Sequence, residues 1–255
     1  MMRFAGKKTS SLADALRGIC EPIGREWGGL PRRDVALTTK GSEMKLEIYD
    51  IAKLKASLVC AAKKDIRAHL IGVFVEVCAE HILLVSANGH MMSVIRSKFV
   101  ALHEDGTVDT RAVGKSFIIP REAIESFLKI CGKHSTARID FDIRPEGETE
   151  RIHFIISDSQ GHKVEGKEID GRFPEWRKCI PSIPRDSEKG PSVSYDASCV
   201  GDFGKIATIL GYKHQGVTLT EYYGSTFSVS IGDEDFFGVM MGMKDAVELD
   251  YSWVK

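Results

Sequence analysis

Apolar and polar residues alternate along the chain with a period that changes in a fixed order, and the order recurs three times. Residues 45–49, Lys-Leu-Glu-Ile-Tyr, read as a short strand; Ile51, Leu54, Leu58 and Ala61/Ala62 then recur at helical spacing. Three strands follow at 66–78, 81–87 and 90–101, rich in Val, Ile, Leu and Phe and separated by the polar turns Ala79-Glu80 and Asn88-Gly89. The second round opens at 116–119, Ser-Phe-Ile-Ile. Pro120 then suits the first turn of a helix, and Ile124, Phe127, Leu128 and Cys131 form that helix's apolar stripe. Strands are expected at 137–144, 151–157 and 163–169, with a turn at 158–161. The third round has an opening strand at 193–195, a helix carrying Val200, Phe203, Ala207 and Leu210, and strands at 217–223, 226–231 and 236–243.

A helix with one apolar stripe buries that stripe on a sheet. The expected class is therefore α+β, built from repeated strand–helix–three-strand units with the helices on one face of antiparallel sheets. Residues 1–43 read as an appendage and linker: Leu12, Leu16 and Ile19 recur at helical spacing behind Ser11, and Pro22 and Gly28-Gly29/Pro31 break the pattern. The expected domains are 44–181, with two units, and 192–255, with one unit and a tail, joined by a proline-bearing linker at 182–191. Beyond Lys244, Val247, Leu249, Tyr251 and Trp253 alternate strictly. An additional edge strand is the plainer reading of that tail; an apolar segment that competes for a groove is the sharper one.

Composition narrows the function classes. Hydrophobic residues at 43% and charged residues at 28% are ordinary for a globular chain. A net charge of −1 argues against coating nucleic acid by charge alone, although the first forty residues hold eight Lys/Arg against four acids. No run approaches the roughly 18 apolar residues of a membrane span, and the N-terminus lacks a secretory apolar core, so a cytoplasmic, non-membrane protein is expected. The six cysteines form no CxxC pair and read as reduced thiols. Gly132-Lys133-His134-Ser135 resembles part of a phosphate loop, but Phe127 stands where its first glycine is needed. With no HExxH, GxSxG or zinc pair, the expectation is a non-catalytic protein with no catalytic residues, no metal and no cofactor. On the first helix Lys53 and Lys64 fall within about twenty degrees of each other at 3.6 residues per turn, with Lys63 farther round. A solvated lysine face is the commoner meaning of that spacing; loose phosphate contact is the functional one.

Five segments, in order, resemble the bacterial replicative sliding clamp, the beta subunit of DNA polymerase III. Residues 65–73, DIRAHLIGV, are similar to the family's D-x-R-x-x-L-N-G-x strand, and 84–94, LVSANGHMMSV, to its V-A-T-D-G-H-R-L-A-V hairpin. Residues 116–121, SFIIPR, resemble S-V-I-V-P-R; 169–181, IDGRFPEWRKCIP, are close to V-D-G-R-F-P-D-Y-R-R-V-L-P; 239–244, VMMGMK, resemble V-V-M-P-M-R. The resemblance covers the family's middle domain and the second half of its last. The hairpin departs from it in carrying Asn88 and Met91 for the family's Asp and Arg, and Gly242 replaces the closing Pro.

The resemblance implies a ring with helices toward a central hole and sheets outside, sliding on duplex DNA without reading its sequence. It implies DNA polymerase and clamp loader as partners, docked through short linear peptides, and a homo-oligomeric ring. The implied peptide cleft comprises Leu70, Ala87, Gly89, His90, Met91, Met92, Pro174, Lys178, Cys179, Val239, Met240, Met241, Gly242 and Met243. Pliable methionines suit such a surface. The implied DNA contacts are Lys53, Lys63, Lys64, Arg67 and Arg121. The alternative class is a non-encircling clamp-like adaptor or decoy that keeps the cleft without the ring.

Overall fold

Three helices lie against two antiparallel sheets in the computed structural model, which describes residues 44–48, 50–79, 81–98, 110–132, 136–147, 149–181, 194–212, 216–222 and 226–243. The expected appendage at 1–43, the linker at 182–191 and the tail beyond Lys244 lie outside the described residues.

The first unit contains β1 (Met44–Ile48), α1 (Ile51–Ser57), β2 (Gly72–Val77), β3 (His81–Ala87) and β4 (Met91–Lys98). The second contains β5 (Ser116–Pro120), α2 (Arg121–Ile130), β6 (Ala137–Glu146), β7 (Thr149–Asp158) and β8 (Lys163–Lys167). The third contains α3 (Ala197–Ile209), β9 (Thr218–Tyr222), β10 (Thr226–Ser230) and β11 (Phe236–Met241). The first two units exchange their opening strands. One sheet runs β1-β6-β7-β8, and the other runs β5-β2-β3-β4-β11-β10-β9. Antiparallel pairing of β4 with β11, from Ile95↔Phe236 to Met91↔Met240, carries the larger sheet from the first unit into the third.

Capping and burial explain the helices. Asp50 accepts the Ala52 amide at 2.8 Å and starts α1; Asp196 does the same for α3 through Ser198 at 2.8 Å. Leu54, Phe127 and Phe203, one from each helix, are fully buried in a core shared with Ile82, Leu84 and Ile95 of the larger sheet and Ile139 and Phe154 of the smaller. Phe117 on β5 meets Phe141 on β6 at 5.0 Å and joins the two sheets. Phe203 packs so closely on β11 that a Cβ at Gly238 would lie 2.7 Å from its ring.

Two expectations need correction. The apolar repeat through Ala62 predicts a longer first helix, but α1 stops at Ser57 and a turn at 58–60 and irregular chain to 64 follow. Arg121 supplies the reason: its guanidinium donates to the Leu58 and Ala61 carbonyls at 2.7 and 2.8 Å, replacing helical amides as their partner. Residues 66–71 also form no strand. Asp65 accepts the Arg67 amide and guanidinium at 2.8, 2.9 and 2.7 Å, which turns the chain, and a 3-10 turn at Ala68–Leu70 follows.

The first and third units are also joined by charge. Lys53 Nζ donates to Asp235 at 2.7 Å and to the Arg96 carbonyl at 2.9 Å, while Arg96 Nε donates to the other Asp235 oxygen at 2.6 Å. Burial alone would raise the Asp235 carboxyl, but the hydrogen bonds from Lys53 and Arg96 outweigh it and hold the group below the usual carboxylate range.

Candidate functional site

Alternation on β4 and β11 sends Met91 and Met240 to the helix face and Met92, Val239 and Met241 to the outer face. On that outer face Met92 pairs with Ala87 of β3 on one side and Val239 on the other. The chain at 169–181 crosses the same face and walls it. Phe173 stacks on Phe74 with centroids 4.8 Å apart and planes 10° apart. Arg177 grips Glu76 through two bonds of 3.0 and 2.9 Å and lies over the Trp176 ring at 4.2 Å. Trp176 Nε1 points to Glu76 as well, at 3.4 Å. This cover explains why Leu83 and Val85 are fully buried although they face away from the helices.

Between the wall and β11 a cleft of about 550 Å³ remains. It brings together Leu70, Ala87, Gly89, His90, Met91, Met92, Pro174, Lys178, Cys179, Val239 and Met241, all expected from the sequence. Met240, Gly242 and Met243 do not line it. Met240 is fully buried on the helix face, and Met243 lies past the cleft, where its amide donates to the Ser194 carbonyl at 2.7 Å. The cleft also takes Arg67, Phe173, Trp176, Ile180, Pro181, Tyr222 and Thr226. Phe173 and Trp176 stand inside a segment already singled out, so their aromatic character was an available signal. Tyr222 and Thr226 carried none; register alone aligns them with Met241 across β9, β10 and β11.

The rim is shaped by the turn at 88–90. Asn88 Oδ1 accepts the His90 and Met91 amides at 3.0 Å each, a task any side-chain carbonyl oxygen there can perform. Gly89 has φ +91°, and a Cβ on it would come within 2.9 Å of the Arg67 guanidinium. The His90 carbonyl accepts the Met241 amide at 2.9 Å, tying this turn to β11. Met241 is 58% exposed, an apolar side chain standing at the mouth.

The five cations expected at DNA differ in their surroundings. Lys53 is engaged by Asp235 and Arg96, and Arg121 by Glu125 at 2.7 Å and by the turn after α1. Lys63 and Lys64 are exposed but lie beyond the end of α1. Arg67 pairs with Asp65 and lines the cleft; its hydrogen bonds hold the Asp65 carboxyl far below the carboxylate range. Among the described residues no group of three or more His, Cys, Asp or Glu could hold a metal ion. No helix among them is long and apolar enough to cross a membrane.

The fold, antiparallel sheets with a few helices, is similar to that of solved bacterial DNA polymerase sliding clamps. The solved clamp of Pseudomonas aeruginosa is similar over 82% of this chain and 68% of its own, with a TM-score of 0.58 and 13% identity. The Bacillus subtilis clamp matches 87% of this chain and 68% of its own, with a TM-score of 0.58 and 12% identity. The beta subunit from Streptococcus pyogenes gives a TM-score of 0.54 at 12% identity, covering 84% of this chain and 68% of its own. No protein-family model and no curated protein matches the sequence.

Proposed function

We propose that this chain is a DNA sliding clamp, a non-catalytic processivity factor that holds a DNA polymerase and other partners on duplex DNA during replication. The observation that carries the reading is the outer-face cleft: a clamp fold with an apolar, methionine-lined groove that five separate stretches of chain assemble. Such a groove suits short peptides with apolar anchors, and Arg67 and Lys178 at its edge suit acidic residues flanking them. Titration calorimetry with a clamp-binding peptide of a replicative polymerase tests it. Met241→Asp is expected to weaken binding by about 2–3 kcal/mol, because a bound apolar anchor would bury the new charge. Equal affinity for both proteins rejects the cleft.

The second reading, a non-encircling adaptor that competes for clamp-binding partners, draws support from the internal engagement of Lys53 and Arg121. An encircling clamp, once loaded, stays on circular DNA and is lost when the circle is cut. An adaptor binds the peptide with no dependence on DNA topology.

A further inference from the structure

Arg67 and Lys178, the arginine and the lysine that line the cleft, are each matched by a carboxylate of the same chain. Arg67 pairs with Asp65 and Lys178 with Glu175, and neither acid is among the described residues that line the cleft. The two pairs differ in their surroundings. Lys178 and Glu175 are well exposed, so water screens their charges. Asp65 is only 15% exposed, against an Arg67 side chain that is half-exposed.

The geometry at Arg67 is that of a group held in place. Asp65 takes one edge of the guanidinium side-on: Nε donates to Oδ1 at 2.9 Å and Nη2 to Oδ2 at 2.7 Å. Oδ1 also accepts the Arg67 amide at 2.8 Å, which fixes the carboxylate in turn. The guanidinium rests on Gly89, where a Cβ would lie 2.9 Å from Nη2 and 3.5 Å from Nη1. Nη1 makes no hydrogen bond among the described residues, so its N–H groups remain for a ligand in the cleft. The same hydrogen bonds keep the Asp65 carboxyl far below the carboxylate range, so its charge is present wherever the protein is folded near neutral pH.

We propose that Asp65 is a specificity-determining residue of the cleft: acting through Arg67, it makes that corner a charge-balanced hydrogen-bond donor and limits the preference for acidic residues in a bound peptide. The proposal rests on the reading of the cleft as a peptide site and adds what sets its charge selectivity. A neutral acceptor, such as a backbone carbonyl or a side-chain amide, meets Nη1 without an opposing charge. A peptide carboxylate there would share one guanidinium with Asp65, and repulsion between the two carboxylates offsets part of its attraction to Arg67. Asp65 touches no ligand itself; it acts by fixing the plane of Arg67 and cancelling its charge.

Titration calorimetry on the full chain tests this with two versions of the clamp-binding peptide, carrying Glu or Gln at the positions that flank the apolar anchors. Measurements at pH 8 stand above the ordinary histidine range. Asp65→Asn keeps an oxygen for the Arg67 amide and removes the charge. It should raise the preference for the Glu peptide by about three- to tenfold at low salt, with the Gln peptide bound within about twofold of its original affinity. The gain should shrink in about 1 M salt and vanish when Arg67→Gln is added. Glu175→Gln, at the exposed pair, should change the preference by less than about twofold. An unchanged ratio in Asp65→Asn, including an equal loss for both peptides, overturns the proposal, as does a gain that survives Arg67→Gln. If the unaltered chain binds neither peptide, the cleft reading falls and this proposal with it; if it binds both and the ratio stays fixed, this proposal alone falls. Should Asp65→Asn lose its native circular dichroism spectrum, Asp65→Ser, whose hydroxyl can accept the Arg67 amide, is held to the same ratio.

Discussion

Lys53 and Asp235 lie 182 residues apart in the sequence and meet at 2.7 Å, so a side chain on α1 holds the turn that leads into β11. Arg96, on the strand that pairs with β11, completes the link at 2.6 Å. Lys53, one of the DNA contacts that the resemblance implies, thus takes part in the joint between the first and third units.

Asp235→Asn should therefore lower global stability by about 1–3 kcal/mol, because it leaves Lys53, 15% exposed, without its counter-charge. Lys53→Ala should cost stability and leave DNA affinity nearly unchanged. Urea unfolding and DNA binding, measured on both variants, check this; a Lys53 variant of normal stability with weakened DNA binding would return that residue to the phosphate-contact role.

The same carboxylate predicts a pH dependence. Its folded value is depressed, so its contribution is fully present above the unfolded value of about 3.9 and is lost as pH falls through the lower folded value. Thermal melts of the wild type and Asp235→Asn should differ most near neutral pH and converge below about pH 4. A difference that persists undiminished in acid would show that the carboxylate's charge is not what matters.

Glu76 fastens the cleft's wall. Glu76→Ala removes the acceptor shared by Arg177 and Trp176, so 173–181 should loosen over the sheet. Peptide affinity is expected to fall several-fold, and limited trypsin digestion should cut faster after Arg177 or Lys178. Unchanged digestion would mean that the Phe74–Phe173 stack holds the wall unaided.

Gly89→Ala should strain the left-handed turn by about 1 kcal/mol and push the Arg67 guanidinium from its place at the cleft. Calorimetry should find weaker binding chiefly for peptides with an acidic residue; an equal loss for neutral ones would point to collapse of the rim.

Thiol reactivity separates surface from core. Cys179 is exposed in the cleft, whereas burial pushes the Cys60 thiol up to about 12. Among the described cysteines, iodoacetamide at pH 8 should label Cys179 first and block peptide binding, with Cys60 labelled only after unfolding. Mass spectrometry of peptic fragments gives the order.

Most strands were legible from period alone, because each buries one face and alternates accordingly. The misread stretches were those decided by distant partners. Nothing near Leu58 announces that Arg121 will take its carbonyl, and nothing near Lys53 announces Asp235. The turn at Asp65 was closer to hand, since an aspartate two residues before an arginine can close it locally. Of the residues that the resemblance implies for the cleft, Met92, Pro174 and Val239 line it and Met240 does not. Strict alternation on β11, applied residue by residue, would have sent Met240 inward and Met241 outward. Tyr222 and Thr226 needed the registers of three strands, which no single segment encodes.

The pairing of β4 with β11 also sets a schedule. β4 ends at Lys98 and its partner begins at Phe236, so during synthesis at about 5–20 residues per second the finished strand waits on the order of ten to thirty seconds for its neighbour. Throughout that interval Met92 and Val94 lie beside an unpaired row of amides and carbonyls. A nascent chain stalled in this window would present the ribosome's surroundings with a sticky, one-sided sheet, and the yield of native protein should depend on translation speed and on the chaperones present while it emerges.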